Sequence, residues 1–217
     1  MISEFNKAAV LGDMTIEHRQ IKRNRLIEIT CHGCDILYVI SGECCLSGRR
    51  LSAYSSMILE RGSHTVECCL AGDALVEIVV VHVALERLFH PSSLDQREQQ
   101  RFEAAVLKGI STNISIDTLA SICCLSVSTF KRRFFDYYGT PPHRWFLWRR
   151  LEIAEVMLRR SSIPTFVVAR LCGFINVSHF IASFKRRYGI TPSRLIRQRV
   201  AEVAMGALPH CPSSRIW

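Results

Sequence analysis

Side chains that could bind a metal are the first candidates for chemistry in this sequence. The stretch Cys31-His32-Gly33-Cys34 has the spacing of half a zinc site, but no second Cys-x-x-Cys and no His-x3-His completes it. His64 and His82 add two imidazoles, and none of these three histidines forms a His-x-His pair. We therefore predict no metal site, no cofactor and no catalytic residues, so the protein is not expected to be an enzyme. Reduced cysteines acting as small hydrophobic residues are the favoured interpretation, with a thiol-based redox switch as the open alternative.

Cationic side chains are the second group, and they are concentrated in the C-terminal half. The 217-residue chain has 28 Lys and Arg against 19 Asp and Glu, a net charge of +9. Residues 1–110 hold 12 Lys and Arg and 14 Asp and Glu, whereas residues 111–217 hold 16 and 5. The two halves therefore carry −2 and +11, which sum to +9. This asymmetry predicts two separate tasks and a polyanionic partner for the second half.

The basic half contains an internal repeat. The string FKRR occurs at Phe130–Arg133 and again at Phe184–Arg187, but these copies are 54 residues apart and do not give the register. With an offset of 50, eight of the 18 positions from 127 to 144 are identical, including Phe130 with Phe180. The first FKRR therefore lies in the middle of its repeat unit and the second at the end of the corresponding helix.

Each repeat unit reads as two short helices joined by a tight turn. In the first unit, Ser126 is a typical N-cap for the second helix, and Gly139 is a typical terminator. Phe130 and Phe134 share one face of that helix at i, i+4 spacing. Helical phase places Ser128, Lys131 and Arg132 on the opposite face. An apolar rear face and a polar, basic front face are typical of a helix-turn-helix.

A continuous helix is predicted between the two units, because residues 143–160 contain no Pro or Gly and have leucines at helical spacing. Eighteen residues would span roughly 27 Å, close to the roughly 34 Å of one DNA turn. Upstream, residues 26–83 alternate short apolar runs with glycines and predict an antiparallel β-barrel or sandwich. We also expect a helix over about residues 95–108, with Phe102, Ala105 and Val106 on one side.

The C-terminal half resembles the AraC/XylS family of bacterial transcription regulators over about residues 111–198. The resemblance rests on Gly173-Phe174, Ser178-His179-Phe180, Phe184-Lys185 and Gly189-Ile190-Thr191-Pro192-Ser193, and on the Arg150-Leu151-x-x-Ala154 helix. The strand–Ser-Gly-Glu–strand rhythm around Gly42 resembles a small cupin barrel. Together these predict an α+β protein with a cupin-like antiparallel barrel and an all-α domain of seven helices containing two helix-turn-helix units. The expected limits are 1–90 for the effector or dimerisation domain, 91–110 for a linker with a short helix, 111–200 for the DNA-binding domain and 201–217 for a tail.

The resemblance implies which side chains contact DNA. The expected base-contacting residues are Ser126, Ser128, Thr129, Lys131, Arg132, Asn176, Ser178 and His179. The expected backbone-contacting residues are Arg133, Lys185, Arg186 and Arg187. Because the second helix carries Val177, Ile181 and Ala182, we expect it to form few base hydrogen bonds. Its alternatives are contact with thymine methyls or mainly phosphate contacts through the three cations at its end, so the first unit is expected to provide most of the specificity.

The family also implies the partners. Promoter DNA and RNA polymerase are expected, with a small-molecule or protein effector and a homodimer at the N-terminal domain, and activation rather than repression. The first 14 residues lack the pattern of a signal peptide and no apolar run is long enough to span a bilayer, so a cytoplasmic protein is expected. The alternatives are an anti-activator or other interaction protein that retains the fold, a cupin metalloenzyme and an RNA-binding protein.

Overall fold

The structure is a computed structural model that describes residues 5–11, 14–21, 25–31, 34–69, 75–83, 95–160 and 163–204. Over these residues the chain forms nine strands followed by seven helices. The predicted α+β class, with strands in the N-terminal region and helices after them, is confirmed. Residues 84–94 and the end of the chain beyond 204 lie outside the described residues.

The strands form two antiparallel sheets. Their order is β1-β2-β9-β4-β7 in one sheet and β3-β8-β5-β6 in the other. Two strands precede the region in which the sequence predicted them, and β2 reads Met-Thr-Ile-Glu-His-Arg-Gln-Ile with the alternation of a half-buried strand. The strand bounds are β1 Phe5–Leu11, β2 Met14–Ile21, β3 Arg25–Cys31, β4 Cys34–Ser41, β5 Glu43–Leu46, β6 Arg49–Ser52, β7 Ser55–Leu59, β8 Gly62–Cys69 and β9 Val76–Val83.

The first sheet is buried on both faces, which explains why β9 is almost continuously apolar. Leu37 and Ile78 point into a core that is shared with the second sheet. Their neighbours Tyr38 and Val79 point the other way, into a core that is shared with the helices. The two sets alternate because successive side chains on a strand point to opposite faces. The strands are therefore connected to the helical part through one continuous packed surface.

Seven helices follow, and no described helix is both long and apolar enough to cross a membrane. The predicted linker helix is α1, which is 16 residues long and buries Phe102, Ala105 and Val106, as expected. The predicted continuous helix is α4, 19 residues long. The helix bounds are α1 Gln96–Ser111, α2 Ile116–Ile122, α3 Val127–Tyr138, α4 Pro142–Arg160, α5 Thr165–Leu171, α6 Val177–Tyr188 and α7 Pro192–Ala204.

Two similar helix pairs flank α4, and we call α2 with α3 the first unit and α5 with α6 the second unit. Their longer helices each have 12 residues and end at a left-handed glycine, Gly139 in the first and Gly189 in the second. Each glycine N–H donates to the carbonyl four residues earlier, at 2.8 Å in both units. The 50-residue repeat of the sequence is thus a repeat of backbone geometry.

Candidate nucleic-acid interface

The first unit buries one face of α3 and exposes the other. Phe130 and Phe134 are fully buried, with ring centroids 5.7 Å apart, and both pack against Phe102 of α1. Ser128, Lys131 and Arg132 are exposed on the opposite face. The aromatic rear face holds α3 against the helical body, so its polar front face is turned to solvent, as helical phase predicts.

The start of α3 carries three hydroxyls that bond to one another. Ser126 is the N-cap, and its Oγ accepts from the Thr129 backbone N–H at 3.2 Å. The same Oγ lies 3.0 Å from the Ser128 hydroxyl and 2.8 Å from the Thr129 hydroxyl. Ser126 therefore has a local structural role, and the Ser128 and Thr129 hydroxyls are held at the helix N-terminus in a fixed arrangement.

A groove of about 460 Å³ runs beside this face, between α3 and the start of α4. Phe135 forms one wall of the groove and is 52% exposed. It lies one helical turn beyond Lys131 and Arg132. The repeat offset equates Phe135 with Lys185 of the second unit. Sequence reasoning did not select Phe135, although two consecutive phenylalanines on an amphipathic helix indicate that one of them must point away from the core. The groove is lined by Ile116, Lys131, Arg132, Phe135, Asp136, Pro141, Pro142 and His143.

The start of α6 in the second unit combines exposed polar side chains with partly buried apolar ones. Asn176 is the N-cap of α6, and its Oδ1 accepts from the backbone N–H groups of Ser178 at 2.8 Å and His179 at 3.2 Å. The side chains of Ser178 and His179 are exposed, as expected. Val177 and Ile181 are partly buried and pack against the core, so they offer less apolar surface to a ligand than their position in the sequence suggests.

The four residues expected at the DNA backbone have different surroundings. Lys185 is exposed at the end of α6, and Arg186 donates to the Ser183 hydroxyl at 3.4 Å. Arg133 lies 3.7 Å from Glu98 of α1. Arg187 donates to Glu152 of α4 at 3.1 Å and stacks over the Trp148 ring, 4.7 Å from its centroid. Two of the four guanidinium or ammonium groups therefore already have an acidic partner within the protein.

The sequence favours packing of the linker helix, rather than base stacking, as the role of Trp145 and Trp148, and in the structure both contact other side chains of the protein. Trp145 is buried against Phe134 and Phe146. Two guanidinium groups lie over the Trp148 ring, that of Arg144 of α4 at 4.4 Å and that of Arg187 of α6 at 4.7 Å from the ring centroid. This arrangement attaches the end of α6 to the middle of α4.

The sequence predicts additional basic surface around α4 from five arginines, Arg149, Arg150, Arg159, Arg160 and Arg170. The structure corrects this prediction for Arg150. Its side chain is buried, and its Nη2 donates to the carbonyls of Gly109 at 2.6 Å and Thr112 at 2.9 Å. A further bond runs from Nη1 to the Asn113 Oδ1 at 3.2 Å. Arg150 thus caps the C-terminal end of α1 instead of facing a ligand, because the last carbonyls of that helix need donors.

The polar groups of the strands do not form a metal site in the described part of the chain. His64 bonds to the Glu60 carbonyl at 2.6 Å, and the His82 Nδ1 lies 2.6 Å from Asp35. Across residues 5–204, apart from the undescribed gaps, no group of three or more His, Cys, Asp or Glu could hold a metal ion. His32 lies outside the described residues.

Three cysteines of the strands lie in an apolar core. Cys31, Cys44 and Cys68 are buried between the two sheets. Cys44 and Cys68 are direct neighbours across β5 and β8. Burial in an apolar core agrees with the predicted use of these residues as small hydrophobic side chains.

Two histidine–carboxylate pairs, one buried and one partly buried, were not anticipated. Asp35 and His82 lie on the inner face of the first sheet, with Glu17 3.8 Å from His82. His18 and Glu77, 2.5 Å apart, lie on the face toward the helices. The partners are 47 and 59 residues apart in the sequence, so no local pattern could have paired them.

Comparison with known proteins matches the region of the two units. A family model described as a helix-turn-helix domain matches residues 119–198. The chain is 26% identical over 142 residues to the probable transcriptional regulator LumQ of Photobacterium leiognathi, covering 65% of this chain and 52% of that protein. It is 36% identical over 90 residues to the RCS-specific HTH-type transcriptional activator RclR of Escherichia coli K12, covering 42% of this chain and 31% of that protein.

A solved structure is similar to about half of this chain. The DNA-binding domain of AdpA, in complex with a target DNA, is 28% identical and overlaps 49% of this chain and 93% of that chain, with a TM-score of 0.43. The chain spans about half of the length of LumQ and less than a third of RclR. Residues 119–198 are therefore a helix-turn-helix domain, in agreement with the resemblance of this part of the chain to the AraC/XylS family.

Proposed function

We propose that the protein is a sequence-specific DNA-binding transcriptional regulator in which both units act as helix-turn-helix motifs. The observation that carries this proposal is the division of α3 into a buried aromatic face and an exposed face bearing Ser128, Lys131 and Arg132. Lys and Arg side chains can donate to guanine O6 and N7 in the major groove, and hydroxyls can contact bases or phosphates. A net charge of +11 over residues 111–217 supports the same polyanionic partner.

The spacing of the two units supports simultaneous binding to successive major grooves. The 19 residues of α4 give it a length of roughly 28 Å at 1.5 Å per residue. Contacts from Arg187 to Trp148 and Glu152 attach the second unit to this helix. A rigid separation of this length is close to the roughly 34 Å between equivalent groove positions one DNA turn apart.

We further propose that the first unit provides most of the sequence specificity. Its helix exposes two cations over the base-facing positions, whereas α6 exposes Ser178, His179 and Ala182. Substituting Lys131→Ala or Arg132→Ala should cost ~1–3 kcal/mol on the cognate site and reduce discrimination between cognate and scrambled DNA. Fluorescence anisotropy with both duplexes at fixed salt measures the two effects together.

The controls for this test lie on the same chain. Lys108→Ala removes an exposed cation from α1 and should leave discrimination unchanged. A larger loss of discrimination from Ser178→Ala and His179→Ala than from Lys131→Ala and Arg132→Ala would contradict the proposed ranking. If no genomic fragment shifts in a mobility assay, the chain is an interaction protein that retains the fold, and the whole proposal is wrong.

The strands are proposed to form the cupin-like effector or dimerisation domain, with residues 1–90, 91–110, 111–200 and 201–217 as the domain limits. Asp35, His82 and Glu17 place polar groups on the inner face of the first sheet, which supports a polar effector. RclR is named a transcriptional activator, and we infer activation, with RNA polymerase as a partner, for this chain as well. Occupancy mapping combined with transcript levels after deletion tests activation directly.

A further inference from the structure

The turn of the second unit is one residue longer than that of the first. The Leu125 N–H donates to the Ala120 carbonyl at 2.9 Å, and the Phe174 N–H donates to the Ala169 carbonyl, also at 2.9 Å. These matching bonds identify Leu125 and Phe174 as equivalent positions. The residue before each of them has a positive φ in both units.

Ile175 is the extra residue. In the first unit, Leu125 is followed directly by the N-cap Ser126. In the second unit, Ile175 separates Phe174 from the N-cap Asn176. Ile175 therefore has no counterpart in the first unit, and the bonds that define the turn are complete without it.

The side chain of Ile175 is exposed, whereas the residue before it and the equivalent of that residue in the first unit are packed. Phe174 is buried, and Leu125 of the first unit packs against the core. Ile175 is 82% exposed, more than any other large hydrophobic side chain in the described residues. Contact of this side chain with a partner would remove its apolar surface from water and so stabilise the complex.

The neighbours of Ile175 indicate which partner. It precedes the N-terminus of α6, and the N-terminal residues of such a helix contact base edges in the major groove. The Asn176 Oδ1 is already used by two backbone N–H groups, and Val177 packs against the core. Ile175 is thus the apolar group that α6 presents at this end, beside the polar side chains of Ser178 and His179.

We propose that Ile175 is a specificity-determining residue that contacts the C5-methyl group of a thymine in the major groove bound by the second unit. The inference rests on the proposed function. Thymine alone among the four bases carries an apolar group in the major groove, so a branched aliphatic side chain distinguishes it without a hydrogen bond. The second unit then reads sequence through an inserted residue rather than through the helix positions used by the first.

The experiment removes the methyl group and the side chain separately. A cognate duplex is first selected from random DNA with the full chain, and each thymine is then replaced singly by deoxyuridine, which lacks only the methyl group. For the unsubstituted protein, one such replacement on the side of the second unit should weaken binding about three- to tenfold, the value of one buried apolar contact. Ile175→Ala should weaken binding to the parent duplex by a similar factor and should no longer respond to that replacement.

Matched variants define the outcome. Leu26→Ala, at a 70% exposed leucine on β3, should retain every deoxyuridine response. Ile175→Val keeps a branched apolar side chain and should retain most of the response. Identical deoxyuridine responses in the unsubstituted protein and in Ile175→Ala overturn the inference while DNA binding stands. Failure of the unsubstituted protein to select any duplex overturns the proposed function itself, and the inference with it.

Discussion

The His82 imidazole and the Asp35 carboxylate face each other across β9 and β4 on the inner face of the first sheet. The hydrogen bond to Asp35 raises the pKa of His82 above its ordinary value, and the nearby Glu17 acts in the same direction. Burial and the charge of Arg19 act in the opposite direction. The net increase means that the folded protein binds this proton more tightly than the unfolded chain does.

This difference predicts how stability depends on pH. A folded-state pKa above the unfolded value stabilises the protein fully below about pH 6.5, the ordinary His pKa, and the contribution is lost as pH rises through the folded-state pKa. The free energy of unfolding of the protein minus that of His82→Asn should therefore decrease as the pH rises above about 6.5. Urea unfolding at several pH values measures it, and a difference that is independent of pH would show that His82 does not bind a proton more tightly in the fold.

At the scale of elements, α1 and α4 are joined by Arg150. Its guanidinium supplies donors to two carbonyls at the end of α1 and to the Asn113 side chain, and burial lowers its pKa from the ordinary value without an acidic partner in these contacts. The N–H of Thr112 also bonds back to the Lys108 carbonyl. The end of α1 therefore depends on one side chain from a helix that is 38 or more residues distant in sequence.

Replacing this side chain should destabilise the helical part. Arg150→Ala leaves buried carbonyls without a donor and should lower the free energy of unfolding by about 2–4 kcal/mol. Arg150→Lys should restore little of this, because a single ammonium lacks the planar set of donors. Arg170→Ala, at an exposed arginine of α5, should change stability by no more than ~0.5 kcal/mol. Equal urea midpoints for Arg150→Ala and Arg170→Ala would contradict this assignment.

At the scale of the whole molecule, the sheet and the helices share one core. Tyr38 of β4 is fully buried in the cluster that also contains Phe102 of α1 and Leu158 of α4. Within the described residues, its hydroxyl has no hydrogen-bond partner, and burial raises its pKa well above the ordinary value. The tyrosine ring thus contributes packing between the two parts, whereas its hydroxyl is desolvated without compensation.

Two substitutions separate these contributions. Tyr38→Phe removes only the hydroxyl and should leave the free energy of unfolding unchanged or raise it by up to ~1 kcal/mol. Tyr38→Ala should lower it by about 3–5 kcal/mol, as for other large aromatic residues in cores. Thermal unfolding of both, with Tyr54→Phe as an exposed control, measures the effects. A clear loss of stability in Tyr38→Phe would show that a bound water or other group satisfies the hydroxyl.

Local patterns determined much of the helical part from the sequence alone. The α+β class, the limits of α3, the N-cap Ser126 and the terminator Gly139 were all predicted. So was the buried face with Phe130 and Phe134. These features depend on residues three or four apart, whose relation is set by helix geometry before any tertiary contact forms.

The sequence was less informative about interactions whose two partners are far apart in the chain. β2 was missed because its alternation becomes meaningful only when it pairs with β9. The pairing of Asp35 with His82 and of Arg187 with Glu152 joins residues 47 and 35 apart. Arg150 looked like a surface cation because nothing near it in the chain indicates the carbonyls that it caps.

The turn before α6 contains both kinds of feature, one determined by local sequence and one determined by tertiary packing. The sequence by itself determined that this turn is one residue longer than its counterpart. Ala120 and Cys123 match Ala169 and Cys172 at an offset of 49, whereas residues 127–144 match at an offset of 50. Only the tertiary structure decided that the extra residue is Ile175 and that its side chain is exposed. The physical reason is that burial depends on what packs against a residue, and for Phe174 and Val177 that surface comes from the folded core.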